Sequence, residues 1–397
     1  MILTRLDLEE FRSYRRLSLG LDPRGLRLSG RNAAGKSTLL DAVAMLATTR
    51  APRGVAERGL INWASGQDAG YPPFCRLEGS IQSSDGGVEI EMSLQADLDR
   101  SNTVKKQIKL NGRPVRAMDA VGRLKAVLFS PEDVTLISGP RSERRRYIDI
   151  TLSQLDGGYL RALSQYGRVL SQRNSLLKSL SRDRVPARSV IAGQQLSFWD
   201  DELVRSGSAI VARRFRVLSN LAGLASQRHE WLADAKTLQM IYQPSFGASS
   251  LGKDMFASPE EDIRLMVARD FTDALDEARP EEVRRGMTIV GPHRDDVVFT
   301  SDEIDLAAYG SRGQQRLAVV ALKIAEADLM KQVAGESPVL LLDDVLSELD
   351  AVHRELLMEV VAGAGAQLLI TSTDASLLEH PGIESLPRAT VLDGLIT

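Results

Sequence analysis

The chain of 397 residues is 43% apolar and 26% charged, a composition that can build two or three packed domains and excludes disordered and fibrous proteins. Its net charge of -3 and sequence pI of about 6.0 exclude a global field drawing it onto nucleic acid or anionic lipid, so DNA could be held only by a local patch. A single cysteine, Cys75, excludes an internal disulfide, and with four histidines it leaves no metal-ligand cluster of the usual spacing.

The opening MILTRLDLEEFRSYRRL mixes acids and arginines without a signal-peptide core, and no run approaches the ~20 apolar residues that cross a bilayer. A cytoplasmic location without a membrane partner is expected. Residues Met1 to Leu28 alternate apolar and polar positions, which predicts two strands around a turn at Asp22-Pro23-Arg24-Gly25. A Gly-rich loop follows from Gly30, then a helix with apolar Leu39, Leu40, Val43, Leu46 and Ala47 at helical spacing. From Cys75 to about Pro114 the pattern is a β meander, with turns at Asp85-Gly86-Gly87 and Asn111-Gly112.

From about Arg144 to Leu232 the periodicity becomes helical. One stripe is Leu160, Leu163, Leu170, Leu177 and Leu180, and a second is Leu196, Leu203, Ile210, Phe215 and Leu218. The break SRDRVPARS between them predicts an arm of two antiparallel helices, too short for a coiled-coil rod. Phe246 to Ser258 is expected as loop, PEEDIRLMVARDFTDALDEA as helix, and GPHRDDVVF as a segment flanked by strands. The last third alternates helix and strand: a helix from Arg312 to about Val333, the strand PVLLLD, a helix near Ala351 to Ala362, and the strand QLLITS.

Gly30-Arg31-Asn32-Ala33-Ala34-Gly35-Lys36-Ser37-Thr38 is a full Walker A pattern between a predicted strand and a predicted helix. Its glycines let successive N–H groups face a phosphate at the helix N-terminus. Lys36 adds positive charge for the β/γ oxygens of ATP, and Ser37 offers a hydroxyl to Mg²⁺. Two acids after an apolar run are more often a cap or turn, but downstream of a Walker A the run Val339-Leu340-Leu341-Leu342-Asp343-Asp344 fits Walker B. Asp343 would hold Mg²⁺ and Asp344 would orient or deprotonate the attacking water.

Between these motifs, Tyr309-Gly310-Ser311-Arg312-Gly313-Gln314-Gln315-Arg316 resembles the Ser-x-Gly-Gln core of the ABC signature, in which Ser311, Gly313 and Gln314 would contact the triphosphate. In the layout of that class, the signature meets the γ-phosphate held by the Walker A of a second subunit. Ser347-Glu348-Leu349-Asp350 stands where the D-loop belongs. Thr373 stands where many ABC proteins carry a histidine, and Asp344 is one methylene shorter than the usual catalytic glutamate, so slow hydrolysis is expected.

About 300 residues separate Lys36 from Asp343, which implies a large insertion in the nucleotide-binding fold. FRSYRRLSL, GRNAAGKSTLLDAVAMLAT, FSPEDV with GPRSERRRYID, GPHRDD, SRGQQR and LLLDDVLSELD together resemble the RecF family of bacterial DNA replication and repair proteins, ABC-type and SMC-like ATPases. The resemblance spans nearly the whole chain. It implies an α/β fold, a split ABC-type P-loop ATPase head from residues 1–115 and 290–397, with a mainly helical arm inserted over 116–289. It also implies a weak ATPase that uses ATP and Mg²⁺ as a switch, dimerises when ATP-bound, and binds DNA at gaps and single-strand/double-strand junctions. Work with RecR and RecO in loading RecA during recombinational repair, replication restart and the SOS response is likewise implied. The competing readings are an ATPase subunit of a transporter and an SMC-like chromosome protein. No Q-loop glutamine stands out, and FSPEDV is the candidate for that role.

Basic clusters at Arg50 and Arg53, at Lys105 and Lys106, at Arg141 with Arg144, Arg145 and Arg146, and at Arg182, Arg184 and Arg188 are candidates for phosphate contact, the Arg141–Arg146 group first. His293, with no second His or Cys nearby, is expected in a structural or interdomain contact, not in a metal site. Cys75 is expected as a buried small residue.

Overall fold

A computed structural model describes residues 1–52, 54–66, 72–97, 103–233, 236–247, 255, 258–392 and 394–397. The first stretch forms three strands, not the two expected: β1 (Ile2–Phe11), β2 (Tyr14–Gly20) and β3 (Gly25–Ser29). The turn that the sequence concealed is Arg12-Ser13, where Arg12 takes a left-handed φ of 49° without help from Gly or Pro. Helix α1 (Lys36–Thr48) follows, then the meander β4 (Phe74–Ser83), β5 (Gly86–Ala96), β6 (Val104–Leu110) and β7 (Arg113–Val115). Asn111 and Gly112 close the β6–β7 hairpin with φ of 49° and 75°, the pair of positive values that a type I′ turn requires.

Next come α2 (Ala117–Ala120), β8 (Ala126–Phe129), α3 (Thr135–Ser138), α4 (Arg141–Leu155), α5 (Gly157–Arg182) and α6 (Val190–Leu232). The chain continues through β9 (Leu238–Gln243), α7 (Glu260–Arg285), β10 (Asp296–Ser301), β11 (Ile304–Asp305) and α8 (Arg312–Ala334). It ends in β12 (Val339–Asp343), α9 (Ala351–Gly363), β13 (Leu368–Ser372), β14 (Arg388–Leu392) and β15 (Leu395–Ile396). GPHRDDVVF is not flanked by strands on both sides, because β10 starts inside it at Asp296. Most of the expected loop from Phe246 to Ser258 lies outside the described residues.

Packing divides the chain into two compact units. One comprises Met1–Val134 and Arg316–Thr397 with the short stretch Trp231–Ala235, and the other Thr135–Glu230 with Lys236–Gln315. Residues 116–134 pack with the first unit because β8 hydrogen-bonds to β12, and residues 290–315 pack with the second because β10 pairs with β9. The arm expected over 116–289 is therefore shifted along the chain at both ends.

In the first unit α1 packs between two sheets. One is antiparallel, in the order β2-β1-β4-β5-β6-β7, and the other, in the order β15-β14-β3-β13-β12-β8, is parallel apart from the β14–β15 hairpin. Leu39, Leu40, Val43 and Leu46 of α1 share a buried core with Leu6 and Leu8 of β1, Ile90 and Met92 of β5, and Leu341 and Leu369 of the parallel sheet. The central strands are buried and apolar over Val339–Leu342 of β12 and Leu368–Ile370 of β13, as parallel strands covered on both faces are.

In the second unit α5 and α6 are the expected helix pair, joined through residues 183–189. The second leucine stripe is buried as read, from Leu196 to Leu218. The first is not. Leu160, Leu163 and Leu170 are only half-buried, and the core line of α5 runs through Tyr159, Tyr166, Val169, Arg173, Leu177 and Leu180. Arg173 is fully buried because Asp200 and Glu282 each approach it at 2.7 Å and Thr288 accepts a hydrogen bond at 2.8 Å.

Candidate functional site

Strand β3 delivers the chain into the loop before α1, and three left-handed residues shape that loop: Gly30 (φ 154°), Ala33 (62°) and Gly35 (116°). A Cβ on Gly30 would lie 2.5 Å from the Val391 carbonyl oxygen of β14, so only glycine fits. Tyr14 donates its hydroxyl to the Gly35 carbonyl at 3.0 Å, and burial raises its pKa to about 12, which keeps it a donor. From the other side the Gly394 N–H donates to the Ala34 carbonyl at 3.2 Å. Arg31, Asn32 and Ala33 are exposed on the rim of the loop, Ala34 is buried, and Thr38 is half-buried in the first turn of α1.

The Lys36 ammonium, 6% exposed, donates to the carbonyls of Gly30 at 2.7 Å and Arg31 at 3.0 Å. Burial lowers its pKa, opposed by the nearby carboxylates of Asp344 and Asp343. Ser37, next along α1, donates to one carboxylate oxygen of Asp343 at 2.8 Å, and Thr371 donates to the same oxygen at 2.9 Å. The strand order explains the meeting: β13 lies between β3 and β12, so Thr371 stands between the loop strand and the strand that ends at Asp343. Burial raises the pKa of Asp343 and the two hydroxyl donors oppose the shift.

Asp344 leaves β12 in a left-handed conformation, φ 50° and ψ 24°. Its N–H donates to the Thr371 carbonyl at 3.2 Å and to the Thr371 hydroxyl at 3.1 Å, while its carboxylate accepts the Thr373 N–H at 3.3 Å. Thr371 is a member of the site that sequence reasoning missed. A hydroxyl at the end of the strand beside Walker B was the available signal.

Arg12 and Asp41 were missed as well. Their side chains pair at 2.5 Å, and Asp41 lies one helical turn beyond Ser37. Burial raises the Asp41 pKa to about 6 against the pull of Arg12, with the charges of Asp343 and Glu132 adding to the rise. Glu132 belongs to the FSPEDV segment, which follows β8, and its charge also raises Asp343. That segment thus brings a negative charge near the site, while its Asp133 accepts the Ser130 N–H at 2.8 Å.

Ser311, Gly313 and Gln314 belong to the second unit, at the start of α8. The Ser311 N–H donates to the Gln314 side-chain oxygen at 2.8 Å, and the Gln314 N–H donates to the Ser311 hydroxyl at 3.2 Å, a reciprocal capping box. A Cβ on Gly313 would meet nothing closer than the Ser311 hydroxyl at 3.9 Å, so the chain's own packing does not call for glycine there. In the first unit, Arg316 of α8 donates to the Glu348 carbonyl at 3.2 Å and pairs with its carboxylate, which ties that helix to the D-loop position.

Within the Arg141–Arg146 cluster, against expectation, Arg144 and Arg145 are turned inward, while Arg141 is exposed but paired. Asp296 pairs with Arg141 at 3.0 Å and Arg144 at 2.7 Å, and Arg145 donates to the Asp295 carbonyl at 2.7 Å. Arg182 pairs with Asp183, Arg184 and Arg188 are exposed, and Arg53 lies outside the described residues. His293 is structural. Its Nδ1 accepts the Tyr166 hydroxyl at 2.7 Å, its Nε2 faces the Thr288 carbonyl at 3.3 Å, and burial lowers its pKa to about 4. Beside it, buried Arg214 joins Asp149, Asp295 and the Pro292 carbonyl. Cys75 is buried, and burial raises its thiol pKa to about 12.

A family model described as the RecF/RecN/SMC N terminal domain matches residues 2–390. A Thermomicrobium roseum protein described as DNA replication and repair protein RecF is 43% identical over 396 residues, 99% of this chain and 99% of that one. A Chloroflexus aurantiacus protein of the same description is 42% identical over 100% of this chain and 99% of its own. A solved structure described as the recombination mediator protein RecF-ATP in the RecFOR pathway has a TM-score of 0.82 at 29% identity, covering 100% of this chain and 97% of that chain. The Smc head domain from Pyrococcus furiosus, at 14% identity and a TM-score of 0.54, shares the fold. Among the described residues no helix is long and apolar enough to cross a membrane.

Proposed function

Because the chain belongs to the RecF/RecN/SMC N-terminal domain family and, within it, to the RecF proteins of DNA replication and repair, we propose that it is a cytoplasmic, ATP-dependent DNA-binding protein in which slow ATP hydrolysis resets a dimerisation switch. The observation that carries this reading is the junction of Ser37, Asp343 and Thr371, which joins the phosphate loop to the end of β12.

On this reading the N–H groups of the loop from Gly30 to Thr38 receive the triphosphate, and Lys36 exchanges its two carbonyl partners for β/γ oxygens. The Ser37 hydroxyl and the Asp343 carboxylate are hard oxygen donors already adjacent, a set that fits Mg²⁺. When bound, Mg²⁺ would neutralise developing charge on the β/γ oxygens. Asp344 accepts the proton of the attacking water as its oxygen bonds to the γ-phosphorus and the bond to ADP breaks, giving ADP and phosphate. The Thr371 and Thr373 contacts fix the angle of Asp344. Its short side chain, with uncharged Thr373 in the switch position, supports slow turnover.

Ser311, Gly313 and Gln314 complete the site of a second copy. An N-terminal helix tip whose glycine its own packing does not need is suited to a close phosphate approach. ATP then holds two copies together on gapped or junction DNA, with RecR and RecO as partners in loading RecA. A fluorescence-anisotropy titration of gapped duplex with and without ATP tests the proposal. Binding should tighten at least tenfold with ATP at moderate salt, and equal binding in both arms would defeat it.

A further inference from the structure

The fold gathers cations that are scattered in the sequence. Lys106 reaches from β6 to the end of α1, donating to the Thr49 carbonyl at 2.6 Å and pairing with Glu57 at 2.5 Å. From the other side the Gly122 N–H donates to the Ala47 carbonyl at 3.4 Å. The Gly122 contact sets Arg123 and Lys125 near the end of α1 that precedes Arg50, and Arg113 lies farther along the β6–β7 pair, opposite Leu110. Among the described residues Arg50, Arg113, Arg123 and Lys125 have no ion-pair partner, and Arg116 pairs only with exposed Asp119. Six cations thus face two carboxylates, Glu57 and Asp119, on one rim of the first unit.

The alternation of β6 marks the boundary of this rim. Lys106 stands opposite buried Leu94, on the side of α1, whereas Lys105 stands opposite Gln95 on the other face. On that other face Arg5, Arg76 and Lys109 are paired with Asp7, Glu78 and Glu91, and Glu89 adds a further acid, so its cations are neutralised. A cation near a helix C-terminus also satisfies the helix dipole. Lys106 already does so at α1, whereas Arg123 reaches only the Asp119 carbonyl at 3.5 Å and Lys125 only the Gly122 carbonyl at 3.2 Å, contacts that leave both charges unneutralised.

We infer that this rim is the surface on which the protein holds duplex DNA, with Arg50, Arg113, Arg123 and Lys125, whose charges no carboxylate neutralises among the described residues, meeting backbone phosphates; the inference rests on the DNA-binding reading above. A duplex offers one charge per ~1.7 Å of its axis on a fixed lattice, which suits cations mounted on a sheet edge and a helix end. It asks for no base stacking. In the Arg141–Arg146 cluster, Arg144 and Arg145 cannot present the same charge without breaking their bonds to Asp296 and Asp295, and exposed Arg141 is already paired with Asp296.

The test is the salt dependence of binding to a 20-base-pair duplex with ATP, by fluorescence anisotropy. Each lost phosphate contact should lower the slope of log K against log salt by about 0.9, so Arg113→Gln/Arg123→Gln should lower it by about 1.8 and weaken binding roughly tenfold or more at ~0.1 M salt. Arg50→Gln/Arg113→Gln should do the same, while Lys105→Gln keeps the wild-type slope and ATP affinity is unchanged in all of them. A wild-type slope in both rim variants would overturn the inference and leave the DNA-binding reading standing, as would a loss found only in Arg184→Gln/Arg188→Gln. If the unaltered protein binds no duplex even at low salt, the DNA-binding reading fails first and this inference falls with it.

Discussion

Lys36 already gives its ammonium to two loop carbonyls, so nucleotide binding is an exchange of hydrogen-bond partners around a charge that is in place. Lys36→Met should abolish ATP binding measured by calorimetry, and micromolar affinity in that variant would mean that the loop has another job. His293 offers a pH test. Its folded pKa of about 4 lies below the ordinary 6.5, so the unfolded chain binds more protons between those values. Its contribution to stability, at most about 3 kcal/mol, is present above pH 6.5 and lost as pH falls toward 4. Urea denaturation at pH 7 and 4.5 should show a smaller difference for His293→Gln than for the unaltered protein. The phosphate loop was legible at this scale because a cradle for phosphate is made by consecutive residues. Thr371, Tyr14 and Gly394 were not, because each reaches the loop or its carboxylate from a distant part of the chain.

Among the elements, α8 and α5 carry separate consequences. A bulky cation at the tip of α8 would block a triphosphate approaching from a second copy while leaving the phosphate loop untouched. Ser311→Arg should therefore bind ATP normally yet fail to dimerise with it in sedimentation velocity, and a normal dimer would remove the signature from the site. On α5 the buried line passes through Arg173. Arg173→Ala leaves fully buried Glu282 without its cation, while Asp200 keeps Arg279 at 3.3 Å, and should cost about 3–5 kcal/mol in chemical denaturation, whereas Leu163→Ala, on the half-buried side, should cost less. The strands and helices of the ATPase core were legible from their periods, and the β6–β7 turn from Asn-Gly. The α5 stripe was misread because a helix with a charged residue at its centre hides its inner face from a search for leucines. The Arg12-Ser13 turn was missed because nothing in those two residue types announces a left-handed backbone.

For the whole chain, the expected outcome is a shift from monomer to dimer in sedimentation with a slowly hydrolysed ATP analogue, strengthened by gapped DNA; no shift in either arm would leave the two-copy site without support. Strand order has a further consequence for biosynthesis. β3 is flanked by β13 and β14, and β8 by β12, so the parallel sheet joins strands from the first third of the chain to strands made last. A chain that extends only to α8 contains the phosphate loop, β3 and Tyr14, but lacks β12 with Asp343, β13 with Thr371, and Gly394 after β14. The helices of the second unit emerge earlier and can acquire their fold meanwhile. The Asp343 carboxylate and its two hydroxyl partners are therefore assembled only once strands far apart in the chain have paired, whereas the cations of the β6–β7 rim come from one continuous stretch and Arg50.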